Sequence, residues 1–493
     1  MRIVFLNPQG NFDAQDSYWT EHPDFGGQLV YVKEIAIAMA SLGHDVDIIT
    51  RRFNDDKLKG FSETLGSYPD APHVRIVRIP CGPNAFVPKE QLWEHLNEWV
   101  NNIVAFYAQS DSTVDFITTH YADGGLAGAL LSQRWGVPYS FTGHSLGAQK
   151  MDKLNVNADS KASLNQTYQF AKRLLAERIA MQGAAMIFTS TDQERDEQYR
   201  HPAYRGAGDQ QNPEKFVIAP PGVNETIFGA NERNDQEDNT VHLLDRTLAR
   251  DIDSNRVTLP YIVLASRLDP KKNHLGLIEA YASSPALQSI TNVAISVRGV
   301  DDAFEDYSGL KENEQALMSK LMDVIDQAGL RGKVSFVNIT SQKALAASYR
   351  YFAKLGSIFT LTALYEPFGL APIEAMCAGL PVAVTQYGGP ADVLKDAQEN
   401  YGVLLDVHDP NHIVKGLIHV FKHYDYFRKQ GLHRVQTTYT WKATARKYLT
   451  TIERILAKPN PTKIDVDAYF TSPSPQYDFG LQPIEDYYLR GKL

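Results

Sequence analysis

The feature that most constrains this chain is an alternation. Short apolar runs of strand length alternate with stretches of helical period, first between Ile3 and Pro221 and again between Tyr261 and Leu405. The first series predicts strands at Ile3–Leu6, Val46–Thr50, Val74–Ile79, Phe116–Thr119, Pro138–Thr142 and Met186–Thr189, and ends at Val217–Pro221. Helices are predicted at Leu29–Leu42, Gln91–Tyr107 and Tyr168–Gly183, with a further one opened by Asp123-Gly124-Gly125 and closed by Gly136. The second series predicts strands at Tyr261–Ser266, Asn292–Arg298, Val334–Phe336, Ser357–Thr362, Pro381–Thr385 and Val403–Leu405. Strands joined through helices pair in parallel, because a parallel pair needs a long crossover. Each half therefore reads as an α/β, doubly wound, Rossmann-like sheet that binds ligands at the carboxyl ends of its strands. Two such domains facing each other would enclose a deep cleft.

With 493 residues the chain is too long for one core. The expected division is a first domain over 1–221, a second over 222–440, a crossing helix over 441–457 that returns to the first domain, and an extended tail over 458–493. Gly222–Leu259 is polar and acidic, and reads as a linker with loose helices. Asn7–Phe25 is a long loop before the first helix, and loops of that length inside a compact domain are usually functional or disordered.

The net charge of −9 excludes a general nucleic-acid or anionic-membrane binder, since no global positive field is present. An anionic ligand would need a local cluster of cations and helix termini. Cys81 and Cys377 lie far apart in apolar segments and read as buried thiols of a reducing compartment. No apolar run is long enough to span a membrane, and the first apolar run is too short for a signal peptide. The expected location is the cytoplasm. Neither an Asp-x-Asp pair in a metal-binding position nor zinc-type Cys/His spacing occurs, so no metal and no cofactor are expected.

Four features follow predicted strands directly. Gly26-Gly27-Gln28 precedes a helix, where glycines admit a ligand close to backbone N–H groups, or serve only a tight turn. His120-Tyr121 and Gly143-His144-Ser145 place histidines at strand ends. In Ser266-Arg267-Leu268-Asp269-Pro270-Lys271-Lys272, the cations Arg267 and Lys272 can converge across a turn on one diphosphate, or form a solvated basic turn. Further along, Thr362–Val384 reads as loop, helix and strand, with Glu366 before the helix N-terminus and Glu374 about one turn inside it. A helix N-terminus attracts phosphate. Carboxylates on either side of it suit a hydroxyl-rich phosphorylated ligand, although an acidic helix start would look the same. Lys89, Lys150, Lys172 and Arg173 are candidates for a second phosphate.

Together the segments HPDFGGQLVYV, TTHYADGG, FTGHSLGAQK, PPGVN, SRLDPKKN and YEPFGLAPIEAMCAGLPVAVT resemble the GT-B retaining glycosyltransferases of the sucrose-phosphate synthase and sucrose synthase group. The resemblance runs from Arg2 to about Ala457. It implies that Arg267 and Lys272 bind the donor diphosphate and that Glu374 holds the nucleotide ribose. Glu366 would contact the donor glucose, with the Phe368, Gly369 and Leu370 backbone against sugar and phosphate. His144 would stand at the reaction centre, so that His144, Glu366, Arg267 and Lys272 form the catalytic set. The Gly26-Gly27-Gln28 loop matches the acceptor side, with Gly27 also assigned to the donor. Lys89, Tyr121, Ser145, Lys150, Lys172 and Arg173 match positions that grip fructose 6-phosphate, although position 172 carries Lys where an Arg is expected.

The activity this implies is transfer of glucose from UDP-glucose or ADP-glucose to fructose 6-phosphate, giving sucrose 6-phosphate with retention by a metal-independent front-face route. Sucrose synthases carry a long extra N-terminal region and some relatives a fused phosphatase domain. The first is not seen in this sequence, which favours the minimal bacterial type of sucrose-phosphate synthase, and no phosphatase-type motif occurs; the basic residues kept at the acceptor positions support a phosphorylated acceptor. Alternatives are a sucrose synthase using free fructose, a mannosylfructose-phosphate synthase, a non-hydrolytic epimerase, or a non-catalytic sugar-nucleotide-binding protein. Oligomeric state, regulation and the role of 458–493 are not legible.

Overall fold

The computed structural model describes residues 1–19, 22, 25, 27–109, 112–208, 213–366, 368–458 and 464–492. It divides into two compact units, one formed by Met1–Pro220 with Thr444–Leu493, the other by Pro221–Ala443.

The first unit contains eight strands: β1 (Arg2–Leu6), β2 (Asp45–Arg52), β3 (Leu65–Tyr68), β4 (Ala71–Pro80), β5 (Phe116–His120), β6 (Tyr139–Thr142), β7 (Met186–Thr189) and β8 (Phe216–Ile218). Their order is β3-β4-β2-β1-β5-β6-β7-β8, and every pair is parallel except the β3–β4 edge. Ile3 to Leu6 are fully buried, as expected for a central parallel strand covered on both faces. The chain winds outward from β1 in one direction, then crosses back to β5. The switch point between β1 and β5 is therefore where the loops diverge and a ligand site can open.

The second unit holds β9 (Tyr261–Leu264), β10 (Asn292–Ser296), β11 (Val334–Val337), β12 (Ile358–Leu361), β13 (Val382–Thr385) and β14 (Val403–Leu405). All are parallel, in the order β11-β10-β9-β12-β13-β14. Here the switch point lies between β9 and β12. Both sheets match the doubly wound expectation. Among the described residues no helix is long and apolar enough to cross a membrane. Cys81 and Cys377 are both buried free thiols.

The structure departs from the sequence reading in four places. β3 was not anticipated; it is a short edge strand with only Tyr68 buried, so it carries little apolar signal. The helix expected over Gln91–Tyr107 begins as two 3-10 turns, Lys89–Gln91 and Trp93–His95, and becomes α-helical at Leu96–Ala108. The stretch read as a linker contains a full helix, Glu237–Asp251, whose Leu244 and Leu248 are completely buried. Its Glu237 pairs with the buried Arg350 at 2.5 Å, so an acidic composition masked a packed element.

The fourth departure is the end of the chain. The helix Trp441–Leu456 places Tyr448 fully inside the first unit, where its ring stacks on Phe188 with centroids 3.5 Å apart. Its hydroxyl meets Tyr31 at 3.1 Å and Thr142 at 3.0 Å. The following segment is not simply extended. It forms a short helix, Ala468–Thr471, and buries Tyr469, Phe470, Ile484 and Tyr488 in the same core as Trp93 and Trp99. Its aromatics pack one at a time, which leaves no period to read. Phe470→Ala is expected to cost about 3–5 kcal/mol of stability, because a fully buried ring is removed. The check is the chemical-denaturation midpoint; an unchanged midpoint would mean the segment is not part of the core.

Candidate functional site

In the second unit, the carboxyl ends of β9 and β12 converge on one cavity of about 340 Å³, lined by Ser266, Arg267, Lys272, Glu366, Phe368 and Gly369 among others. Arg267 follows β9. Lys272 ends the 3-10 turn Pro270–Lys272, which Asp269 caps by accepting from the Lys271 N–H at 2.9 Å. The loop after β12 is fastened to that turn: Leu364 N–H donates to the Lys271 carbonyl at 2.9 Å, and Thr362 Oγ1 donates to the Asn273 carbonyl at 3.0 Å. These bonds bring Lys272 Nζ to 2.6 Å from Glu366 Oε2. The pair is largely shielded, with about a fifth or less of either side chain exposed.

Two glycines shape this corner. Gly369 has φ 95° and turns the chain into the helix Leu370–Cys377, leaving the first N–H groups of that helix beside the cavity. Gly388 has φ 104°, and a Cβ there would lie 2.1 Å from the Glu366 carbonyl oxygen. That contact is close because Gly389 N–H donates to the Glu366 carbonyl at 2.9 Å and Glu366 N–H to the Tyr387 carbonyl at 3.0 Å. Glu374 lies one turn into the helix. Burial pushes its carboxyl up to about 7, against a hydrogen bond from Gln342 that pulls it down. His274 is fully buried behind the turn, bonded to Ser266 Oγ at 3.1 Å, and burial lowers it to about 4.

In the first unit the central feature is a histidine relay. Thr118 Oγ1 lies 3.0 Å from His120 Nε2, and His120 Nδ1 lies 3.0 Å from His144 Nε2. The His120 ring is sandwiched, stacked on Phe5 at 5.4 Å and on His144 at 5.2 Å. Tyr31 meets His144 edge-on at 5.0 Å. Burial holds His144 down to about 4 and His120 well below the usual range, with His144 beside it adding to the effect. Both rings are therefore neutral at pH 7, and His144 keeps only Nδ1 for a ligand. His144 and Tyr121 stand in left-handed backbone, at φ 57° and 67°. Both follow central strands directly, and such strain concentrates at functional sites.

Beside the relay is a narrow cavity lined by Lys89, Glu90, Trp93, Tyr121, Asp123, Lys150, Tyr168 and Arg173. Arg173 is fixed by Glu177 at 2.9 Å and by the Ser145 carbonyl at 2.6 Å, and its guanidinium lies over Tyr121. Glu177 also takes the Gly147 N–H and the Tyr204 hydroxyl, so it anchors the start of the helix Gly147–Lys153 that carries Lys150. Lys150 Nζ sits 3.9 Å over the Tyr168 ring. Burial pushes the Asp123 carboxyl up to about 6, against the Gly124 N–H and the charges of Arg173 and Lys89.

The structure thus gathers Arg267, Lys272, Glu366, Phe368, Gly369 and Leu370 around one cavity, and Lys89, Tyr121, Lys150 and Arg173 around another. Ser145 contributes its carbonyl to Arg173. Gly27 and Gln28 open the helix Gly27–Ser41, while Gly26 lies outside the described residues. Lys172 does not line the second cavity. It pairs with Glu94 at 3.6 Å and lies over the Tyr469 ring at 4.8 Å, held by the C-terminal segment. The sequence singles out His120 only as a strand-end histidine, with no stated role, and gives none to Asp123 or Gly388. His120 and Asp123 flank Tyr121 in the same strand-end motif, which was the available signal.

Residues 26–206 match the model of the glycosyl transferase 4-like domain, and residues 245–431 that of glycosyl transferases group 1. With its two parallel sheets, the chain is a GT-B glycosyltransferase. A probable sucrose-phosphate synthase of Thermosipho melanesiensis is 42% identical over 92% of this chain and 97% of its own length. The maize sucrose-phosphate synthase is 30% identical over 91% of this chain, which spans about half of that relative (47%). Among solved structures, the sucrose-phosphate synthase of Thermosynechococcus elongatus shares the fold at TM-score 0.58 and 22% identity, covering 92% of this chain and 99% of that one. HepE of Anabaena in complex with UDP does so at TM-score 0.57 and 15% identity, covering 92% and 100%. The chain belongs to the sucrose-phosphate synthase family.

Gly388→Ala tests how the first cavity is held. A Cβ must displace the Glu366 backbone, and with it the partner of Lys272. Affinity for a nucleotide-sugar is expected to fall about tenfold or more, with the circular dichroism spectrum unchanged. Unaltered affinity by calorimetry would show that the Glu366 position does not govern that cavity.

Proposed function

We propose that this enzyme transfers glucose from UDP-glucose or ADP-glucose to the anomeric hydroxyl of fructose 6-phosphate, releasing the nucleoside diphosphate and forming sucrose 6-phosphate with retention at glucose. The observation that carries the acceptor choice is the cavity lined by Lys89, Lys150 and Arg173. Three cations around one narrow space suit a phosphate dianion and have no use for free fructose.

The donor is read from the second unit. Arg267, Lys272 and the N-terminus of the helix Leu370–Cys377 neutralise the diphosphate as it leaves. Lys272 is already oriented by Glu366, so little reorganisation is needed when phosphate arrives. Glu366 then accepts a hydrogen bond from a glucose hydroxyl and Glu374 one from the ribose. The bond from glucose C1 to the diphosphate oxygen breaks as the acceptor oxygen bonds to C1 from the same face. The acceptor's proton passes to the departing diphosphate. His144 is neutral, so it acts as a hydrogen-bonding dipole toward the transferring sugar and not as a charged acid. The chain's residues supply positioning and charge stabilisation.

Arg267→Ala and Lys272→Ala are each expected to lower kcat by about 10²–10³-fold with the fold intact. An activity matrix of UDP-, ADP- and GDP-sugars against fructose and fructose 6-phosphate checks the whole reading. A higher kcat/KM with free fructose would make the enzyme a sucrose synthase, and a preference for a mannose donor would replace the glucose assignment.

A pH dependence follows from Glu374. Its carboxyl is raised to about 7, so it is protonated below that pH and loses acceptor capacity for the ribose. KM for the donor is expected to rise as pH falls from 8 through 6, by up to about tenfold. Glu374→Gln should start from the weaker value and flatten the profile. A wild-type donor KM that is constant over this range would remove Glu374 from the ribose.

A further inference from the structure

The cavity in the first unit contains one group that the reading above leaves unused. Asp123 lies in the first turn of the helix Tyr121–Trp135, directly after β5, and is 2% exposed. Its Oδ1 accepts the Gly124 N–H at 2.8 Å. Its Oδ2 is buried, lacks a hydrogen-bond partner, and belongs to a residue that lines the cavity. An unpaired buried carboxylate oxygen is costly to keep.

The fully buried carboxylates Glu177 and Asp47 of this unit are not left in that state; among the described residues of the unit, the other carboxylate with a buried unpartnered oxygen is Asp16, which is only half-buried and does not line this cavity. Glu177 is fully buried and takes Arg173, the Gly147 N–H and the Tyr204 hydroxyl. Asp47 is 1% exposed and takes Arg75 and Tyr107. Asp123 differs in facing a cavity whose cations answer a phosphate, and it is the buried one of the two carboxylates there, Glu90 being only half-buried.

We infer that Asp123 is an acceptor-binding residue, its Oδ2 accepting a hydrogen bond from one hydroxyl of the sugar whose phosphate Lys89, Lys150 and Arg173 hold. This rests on reading the cavity as the acceptor site. The carboxylate fixes which edge of the sugar enters, while the cations fix only the phosphate.

Asp123→Asn isolates the free oxygen. The side chain keeps its volume and the Oδ1 that serves Gly124, and only Oδ2 becomes a donor. KM for fructose 6-phosphate is expected to rise about tenfold or more, while KM for UDP-glucose stays within about twofold. Lys150→Ala should weaken fructose 6-phosphate by removing a partner of its phosphate, whereas Asp123→Asn should weaken it by removing a partner of one hydroxyl. A second measurement uses acceptor analogues that each lack one hydroxyl. One of them should lose about tenfold in kcat/KM in the wild type and much less in Asp123→Asn, the signature of a direct pair.

Wild-type turnover with an acceptor KM unchanged in Asp123→Asn would overturn the assignment and leave Oδ2 to a bound water. Equal loss of donor and acceptor affinity would also overturn it, in favour of a structural role. If the wild type shows neither turnover nor binding with fructose 6-phosphate, the acceptor reading itself fails. Should Asp123→Asn not fold, the wild-type analogue series still decides: no single hydroxyl costing more than about threefold would exclude a directed contact.

Discussion

Parallel pairing is the constraint on which the rest depends. A parallel strand can reach its neighbour only through a crossover, so every loop that leaves a carboxyl end emerges on the same edge of the sheet. Where the winding direction reverses, two adjacent loops part. In the first unit that point lies between β1 and β5, and the strained Tyr121 and the His120–His144 relay sit beside it. In the second unit it lies between β9 and β12, and Arg267, Lys272 and Glu366 meet there. Residues about a hundred positions apart in sequence become a 2.6 Å ion pair because topology leaves them one place to converge.

Local charge then does what net charge cannot. The chain carries −9 overall, yet both cavities are lined by cations. Three of these five cations are visibly tethered: Lys272 by Glu366, Arg173 by Glu177, Lys150 by the face of Tyr168. A tethered cation loses less freedom when an anion binds, so more of the Coulomb attraction appears as affinity. The histidines take the opposite course. Packed among Phe5, Tyr31 and each other, they are held neutral and contribute hydrogen-bond direction alone.

Much of this was legible in the sequence for physical reasons. Buried parallel strands must be apolar on both faces, so the strands announced themselves apart from the two edge strands β3 and β8, which are largely unburied. Helix starts at strand ends mark Arg267, Lys272, Glu366 and His144 in the sequence itself. Composition failed where burial did not require apolarity. The Glu237–Asp251 helix is acidic because its exposed face is charged and Glu237 is neutralised by Arg350. Asp123 was invisible as a ligand group because a lone aspartate before two glycines reads as a helix start. Only its burial and its unpaired oxygen set it apart.

Lys172 shows the limit of reading a role from a matching position. Lys172 and Arg173 are adjacent on one helix, and neighbours on a helix point about 100° apart. Arg173 turns inward to Glu177 and Tyr121, so Lys172 must turn toward whatever covers the next face. In this chain that cover is the C-terminal segment, whose Tyr469 offers a ring to the ammonium and a hydroxyl to Glu94 at 2.9 Å. A guanidinium fork could reach past such a ring toward a phosphate, whereas a lysine held by Glu94 and Tyr469 is occupied in place. Lys172 and the packed C-terminal segment therefore form one structural unit: Glu94 and Tyr469 hold the ammonium apart from the cavity that Lys89, Lys150 and Arg173 line.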